Sequence, residues 1–482
     1  MNEKAGAQIS QRAFLQSLII LLVLMVLAGV LTRVVPAGSY TRVLVNGRET
    51  IDPASYHLVQ KPDYPVWRWF TAPFEVLASP DGATVIVIIL FLLMVGVSFA
   101  VLDKSGILRY ALARLVGRFR GQKYLLLLAI TLFFMLIGAL FGIFEEVVPL
   151  VPMMVALSYA LGWDTLTGLG MSILATNMGF SAAITNPFTI GVAQRLAGLP
   201  LFSGAGFRVL IFLSIYAVLA VFLVLYARRI ERNPEVSPVY AEDRVGREKF
   251  SGTGLEGYDK NLKLRPVLVW LGVFLVLIVL VLVAAPFVPG LSDLSLPLVG
   301  LLFLIGGVGS GLLAGMGGKA VRQAAWEGLV GIAPAVPLIL MASSIKFIVA
   351  QGGIMDTLLH GAAQSISQAS PFLAAVIVYF LALFIELFVA SGSAKAFLMM
   401  PILLPIADLV GITRQVAVTA YCFGDGFSNL AYPTNPVLLI CLGLTVVSYP
   451  KWIRWTASLW FWVLLVTIAF LGIGVAIHFG PF

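Results

Sequence analysis

The sequence predicts an all-α integral membrane protein with about nine transmembrane helices plus two re-entrant hairpins, arranged as two inverted repeats. Three observations carry this expectation. The 482 residues are 60% hydrophobic and 11% charged, with a mean hydropathy of +1.01, too apolar for a soluble chain of this length. Apolar runs long enough to cross a bilayer recur, at 14–35, 82–102, 206–226 and 266–288 among others. A Thr-Asn-Pro triplet occurs twice inside long apolar stretches, at Thr185-Asn186-Pro187 and at Thr434-Asn435-Pro436, 249 positions apart.

Composition removes several function classes. The formal net charge of +8 is no nucleic-acid footprint, because Lys and Arg cluster in short segments between the apolar runs, as positive-inside orientation requires. Soluble enzymes and disordered chains fall on hydropathy. Cys422 and Cys441 lie inside apolar stretches and read as free core residues. His57, His360 and His478 are too scattered to hold a metal. The first apolar run is too long for a signal peptide and lacks an A-x-A-type cleavage site, so it reads as a mature span. The expected setting is the inner (plasma) membrane, in contact with lipid and with no nucleic-acid partner.

Charge and length order the elements. Lys4 and Arg12 place the N-terminus in the cytoplasm, and 14–35 crosses outward. An external loop, 36–81, closes on Trp67, Trp69 and Phe70, which suit the membrane interface. The chain returns through 82–102 to a basic connector carrying Lys104, Arg109, Arg114, Arg118, Arg120 and Lys123. Within it, 105–118 is amphipathic and should lie along the surface. The stretch 124–161 is interrupted at 142–146, so it enters and leaves on the cytoplasmic side, as a re-entrant hairpin or as two full spans, which charge topology does not separate. Then 164–198 crosses outward and 206–226 returns. This closes a first half, 1–226, and a basic cytoplasmic linker, 227–265, follows. The second half, 266–482, runs outward through 266–288, inward through an extra span at 295–316, and outward through 331–351. After an external connector at 354–369, an interrupted stretch at 372–410 enters from outside, 413–447 crosses inward and 455–476 crosses outward.

The 249-residue offset also maps Pro152 onto Pro401, Gly162 onto Gly411 and Ala182 onto Ala431, and carries 82–102, 105–118, 124–161 and 206–226 onto counterparts in the second half. A shared offset across so many elements marks an internal repeat. The extra crossing at 295–316 reverses every later element, so the two copies should be inverted. That is how secondary transporters place one central site open alternately to each side.

The breaks are where chemistry is expected. Thr or Asn before Pro is helix-start chemistry: an oxygen caps free N–H groups and Pro fits the first helical position. Inside a span it leaves two half-helices, whose free carbonyls suit a small cation and whose free N–H groups suit a carboxylate. A Pro kink healed by neighbouring helices is the competing reading. The cation-binding candidates are Thr185, Asn186, Thr434 and Asn435 with residues spaced along one helix face before each break, Asn177 and Ser181 in one half, Asp425 and Asn429 in the other. The hairpin tips, 142–146 and 391–395, supply the substrate-binding candidates Glu145, Glu146, Ser391, Gly392, Ser393 and Lys395, together with Asn186 and Asn435. No resident cofactor is expected beyond sodium at those oxygen sets.

The run from Gly142 to Pro200, with Glu145-Glu146, Pro149 and Ile184-Thr185-Asn186-Pro187-Phe188, resembles the YfcC-type branch of the four-carbon-dicarboxylate anaerobic carriers. So do Pro36-Ala37-Gly38-Ser39-Tyr40, Ser391-Gly392-Ser393, Met400-Pro401, Phe423-Gly424-Asp425-Gly426-Phe427 and Pro433-Thr434-Asn435-Pro436. The resemblance covers nearly the whole chain. It implies membership of the ion-transporter superfamily, a homodimer, elevator-type alternating access, and coupling to sodium or protons. It leaves dicarboxylates and amino acids both open as substrates.

Charge favours the amino acid. Glu145, Glu146, Glu386 and Asp425 are deep acids and Lys395 and Lys346 deep bases, whereas the only arginine near a break is Arg414, at an external hairpin base. A dianion site would be expected to carry an arginine fork. A channel would need a continuous polar stripe, and an intramembrane hydrolase a better Ser-Lys spacing than Ser391, Ser393 and Lys395 offer. The sequence therefore reads as a secondary transporter, not an enzyme, of a small carboxylate-bearing solute.

Overall fold

The computed structural model describes residues 11–45, 48–52, 54–119, 121–250, 262–284, 288 and 290–480. The orientation cue at Lys4, the connector residue Arg120, the linker segment 251–261 and the end of the span at 266–288 lie outside the described residues. The chain is mostly helical, as long aliphatic runs must be wherever no water can satisfy the backbone. Among the described residues, nine helices are long and apolar enough to cross a membrane.

The number matches the sequence expectation, but the membership differs. Lys123–Phe141 and Gly392–Val410, arms of the interrupted stretches, are among the nine, while the broken spans are not. The first broken span is divided into Thr165–Leu169, a π-helical turn at Gly170–Leu174, Ala175–Ala182, a second π turn at Pro187–Gly191, and Val192–Leu196. The second is Arg414–Phe427 followed by Pro436–Gly443. Each Asn-Pro break leaves pieces too short to count as a span. The connector around Lys319 is itself helical, Gly318–Ile332, and leads through Pro334 into Ala335–Gln351.

The loop at 36–81 departs from the all-α expectation. Gly38–Ser39 pairs antiparallel with His57–Leu58, and Arg42–Val45 with Arg48–Ile51. In the sequence Asn46-Gly47 stands between the latter two, the commonest two-residue hairpin signal. Strands of two to four residues are invisible to a search at the length of a membrane span.

Two groups of helices share the core. Around the breaks, Lys123–Phe141 packs on Ala175–Ala182, and Pro371–Glu386 on Arg414–Phe427, so each broken helix lies against the first arm of the interrupted stretch before it. Ala205–Arg232 and Tyr449–Ala476 flank them. In the other group, Gly82–Lys104 packs on Leu291–Leu313 and Gly318–Ile332, and Gln11–Val34 on Ala335–Gln351. The groups meet where Leu291–Leu313 touches Glu145–Leu150 and Ala335–Gln351 touches Pro436–Gly443.

Segments that the charge pattern assigns to one side contact one another. The loop at 36–81 docks on Met355–Ser367, where Asp356 accepts from the Tyr40 N–H at 2.9 Å and pairs with Arg42 at 3.0 Å. The linker docks at the opposite assignment. The helix Ala205–Arg232 overruns the expected boundary at 226, and the chain after it folds back: Asp243 accepts from the Tyr159 hydroxyl and from the N–H of Thr165, both at 2.9 Å. Lys249 pairs with Asp103, and Lys451 pairs with Glu242 at 2.5 Å.

Candidate functional site

The two breaks are built alike. The Asn186 side-chain oxygen accepts from the Phe188 N–H at 2.9 Å, with Pro187 at the first helical position, while its amide donates to the Phe180 carbonyl at 3.2 Å. One side chain thus closes the end of one half-helix and caps the start of the next. Asn435 accepts from the Val437 N–H at 3.0 Å and donates to Asn429 Oδ1 at 3.2 Å. Thr185 is spent on the hairpin beside it: its hydroxyl and N–H donate to the Leu140 and Ala139 carbonyls, each at 3.0 Å. Ser181 bonds back to the Asn177 carbonyl at 2.7 Å.

Some polar atoms here are buried without a partner. Both side-chain polar atoms of Asn177, the hydroxyls of Thr189 and Thr434, and Glu386 Oε1 make no hydrogen bond within the chain. Such atoms cost about 1–3 kcal/mol each when left unsatisfied. They gather around both breaks, in side chains at most 7% exposed, where they are available to a small ligand.

Each hairpin tip closes on a break. Gly142 adopts a left-handed conformation (φ 69°), and a Cβ there would stand 2.3 Å from Asn186 Oδ1. From this tip Glu145 opens outward and Glu146 accepts from the Ser295 hydroxyl at 2.9 Å. At the second tip the Ser391 hydroxyl caps Gly392–Val410 through the Ala394 N–H at 3.4 Å. A Cβ on Gly392 would lie 2.8 Å from Asp425 Oδ2 and 2.9 Å from Thr189 Cγ2. The second tip therefore rests on both halves at once, since Thr189 belongs to the first break and Asp425 to the second. The Tyr421 hydroxyl donates to the Gly392 carbonyl and fixes that contact.

A cavity of about 600 Å3 opens between the tips, with Glu145, Glu146, Ser391, Gly392, Ser393 and Asn429 on its wall and Phe144, Phe180 and Phe188 as its apolar part. A smaller one of about 180 Å3 adjoins Glu145, Glu386, Ser391, Thr434 and Asn435. Asp81 and Lys346 also line it and pair at 2.7 Å, so Lys346 is not free for a ligand. A larger groove, about 810 Å3, lies between Ala205–Arg232 and Tyr449–Ala476 and shares no residue with the breaks or tips.

Of the substrate candidates, Glu145, Glu146, Ser391, Gly392 and Ser393 line the larger cavity and Asn435 the smaller, whereas Asn186 and Lys395 line neither. Lys395 is fully buried, paired with Glu386 and, at 2.8 Å, with Asp425. Of the cation candidates, Asn429, Thr434 and Asn435 reach a cavity; Asn177, Ser181 and Asp425 are buried behind it, and half-buried Thr185 lines neither.

Sequence reasoning missed Thr189 and gave Glu386 no place in the site. It also placed no arginine at a break except Arg414. Arg208 overturns that: 2% exposed, it donates to the Ile184 carbonyl beside the first break at 3.1 Å and to the Ser203 and Phe202 carbonyls at 2.8 and 3.1 Å. A guanidinium held by three carbonyls splints the backbone and offers no fork to a carboxylate. Arg414 pairs with exposed Asp408 at 2.7 Å.

Comparison with known proteins gives the family. Residues 14–476 match the DcuC family model, described as C4-dicarboxylate anaerobic carrier. The chain is 32% identical to the Escherichia coli protein named "Putative basic amino acid antiporter YfcC", over 92% of each chain. It is 25% identical to an uncharacterized protein of Haemophilus influenzae, over 95% of this chain and 96% of that one. Among solved structures, the Alcanivorax borkumensis YdaH transporter aligns with 97% of this chain and 100% of its own at 18% identity and a TM-score of 0.42. The broken, capped helices with a helix turn closed on each thus belong to a multi-pass membrane transporter, and the chain is a member of the DcuC family.

Proposed function

We propose that this protein is a secondary active transporter of a basic amino acid, working by elevator-type alternating access with sodium or proton coupling. The carrying observation is the cavity between the tips. One wall presents two carboxylates, Glu145 and Glu146; the other presents the N-terminus of a helix at Ser391-Gly392-Ser393. Carboxylates attract a cationic amine or guanidinium, and a helix N-terminus attracts a carboxylate. Phe144, Phe180 and Phe188 suit the aliphatic stem between them. The name of the E. coli relative agrees in chemistry.

In this reading 124–161 and 372–410 are re-entrant hairpins, and 1–226 and 266–482 are inverted repeats. Reciprocal packing supports the repeat: Gly318–Ile332 packs on Gly82–Lys104, while Arg68–Glu75, which the offset of 249 places opposite it, packs on Ala335–Gln351. The helices Gly82–Lys104, Leu291–Leu313 and Ala335–Gln351 would form the fixed frame against which the hairpins and broken helices move, in a homodimer.

The family description makes a four-carbon dicarboxylate the second reading, yet such a dianion would meet Glu145 and Glu146 with no arginine to receive it. The test is thermal stability of the purified protein against arginine, lysine, succinate and fumarate, each with and without sodium, because a ligand bound only to the folded state raises Tm by mass action. A shift with arginine or lysine supports the proposal. A shift with succinate alone replaces the substrate and keeps the transporter.

A further inference from the structure

The larger cavity leaves out the most heavily charged part of the interior. Glu386 ends the first arm of the second hairpin, Lys395 begins its second arm, and Asp425 stands on the helix before the second break. All three side chains are at most 1% exposed. The Lys395 ammonium lies between the two carboxylates, in contact with Glu386 and 2.8 Å from Asp425. Two carboxylates and one ammonium leave one negative charge in excess.

We propose that Lys395 is a tethered cation: its ammonium holds the position that a free alkali cation would otherwise take at the second break, so that one mobile positive charge, not two, is needed to neutralise this half. This rests on the transporter reading and deepens it, since it concerns the ion requirement of the same site.

The surroundings are those of an oxygen-lined cation site. Glu386 Oε1 and both carboxylate oxygens of Asp425, on the two acids that hold the ammonium, are buried and make no aligned hydrogen bond among the described residues, and nor does the Thr434 hydroxyl at the second break. Lys395 approaches Asp425 as an ion contact at 2.8 Å. Glu386 and Thr434 also face the cavity of about 180 Å3, which gives a free ion a way in. An ammonium has three donors and carries its charge as a compact point, which makes it a fair substitute for a sodium ion among oxygens. Tethered in the hairpin, it travels with the site and need not be captured in each cycle.

The first half holds the contrast. Its tip carries Glu146 where the offset of 249 puts Lys395, and its break has Asn177 and Thr189 but, among the described residues, no buried ammonium. Sodium bound there would be common to every variant below and drops out of the comparison.

The experiment counts sodium-22 bound per chain at saturation, in detergent at mildly alkaline pH, for wild type, Lys395→Met and Lys395→Arg. One additional sodium ion per chain in Lys395→Met, with Lys395→Arg equal to wild type, is the expected result. Equal counts in all three overturn the proposal. If Lys395→Met cannot be purified in choline chloride but is recovered when sodium is present throughout, the ion has replaced the ammonium and the proposal stands; loss in both salts overturns it. The double variant Lys395→Met, Glu386→Gln restores the charge balance, and its expected recovery is the same in either salt. Counting ions needs no transport, so a chain that fails to transport basic amino acids refutes the functional reading separately.

Discussion

The two halves of the molecule break their helices with the same triplet and then fill the surroundings differently. At the first break the interior holds no carboxylate among the described residues: Asn177, Thr189 and Ser181 stand there, with the Arg208 guanidinium spent on backbone carbonyls. The charges of that half stand at the tip, where Glu145 and Glu146 face the cavity. The second half reverses this. Its tip is Ser391-Gly392-Ser393, small and uncharged, and its charges lie behind the cavity wall as Glu386, Lys395 and Asp425. Capping of a broken helix is thus a backbone problem with one solution, an Asn before a Pro, whereas the distribution of charge is free to differ. The difference is a division of labour: one half shows its charge to the cavity, the other hides two carboxylates and one ammonium behind the cavity wall.

The comparison breaks first at its most charged point. Removing the Lys395 ammonium leaves two carboxylates facing each other out of water, and breaking a buried pair this way costs about 3–5 kcal/mol. In choline chloride, Lys395→Met is expected to lose most of its cooperative melting transition. The first break should respond in the other direction. Asn177→Leu removes two unpartnered buried atoms at similar volume, so its Tm should rise, by the equivalent of about 1 kcal/mol, while transport falls. Melting both variants by intrinsic tryptophan fluorescence checks the pair. Destabilisation of equal size in both would erase the distinction between the halves.

Next come the tips. If Glu145 and Glu146 receive the cationic end of the substrate, Glu145→Gln should raise KM for arginine uptake into proteoliposomes about tenfold, equivalent to about 1.4 kcal/mol. Glu146→Gln can still accept from Ser295 and should do less. At the other tip Ser391→Ala removes only a cap bonded at 3.4 Å, and a twofold change is expected. A larger effect from Ser391→Ala than from Glu145→Gln would place the recognition of charge in the wrong half. The caps themselves follow: Asn186→Ala and Asn435→Ala should each cost about 1 kcal/mol and weaken the dependence of uptake on the coupling ion, and unchanged ion dependence in both variants excludes the breaks as cation sites.

How much of this was legible in the sequence depends on distance along the chain. The breaks, the caps and the tips are local, and Thr-Asn-Pro, Gly142 and Ser391-Gly392-Ser393 announced them. The Glu386–Lys395 pair is nearly local, nine residues apart across a tip, and was open to a reading that folded the hairpin. Asp425 was visible as a costly intramembrane carboxylate, but its partner was not, because pairing it needs the packing of one helix on another. Arg208 is the clearest failure. It stands at the head of an ordinary span and reaches the first break only because Ala205–Arg232 packs across Ala175–Ala182. The strands at 38–58 failed for another reason: their turn signal was present, and a search at the length of a span passed over it.

The linker sharpens the comparison from outside the membrane, because it buries one carboxylate, Asp243, with hydrogen-bond donors in place of a close counter-charge. Asp243 accepts from the Thr165 N–H and hydroxyl and from Tyr159, while its nearest cation, Arg247, stands off at 3.8 Å. Burial pushes its carboxyl up to about 6 from the ordinary 3.8, against the pull of those donors. The docked carboxyl therefore holds a proton more tightly than the undocked one. Its protonation favours docking, an advantage full below about pH 4 and lost as pH rises through about 6. The change is on the order of 1–3 kcal/mol. Hydrogen exchange of the Thr165 amide, corrected for intrinsic rate, should show a larger opening free energy at pH 5 than at pH 7.5, and Asp243→Asn should flatten the difference. Equal opening energies in the wild type would mean that the donors alone set the charge of this carboxyl. Burial of a carboxylate without a counter-ion would then be tolerated here, and Lys395 would lose its electrostatic reason for being where it is.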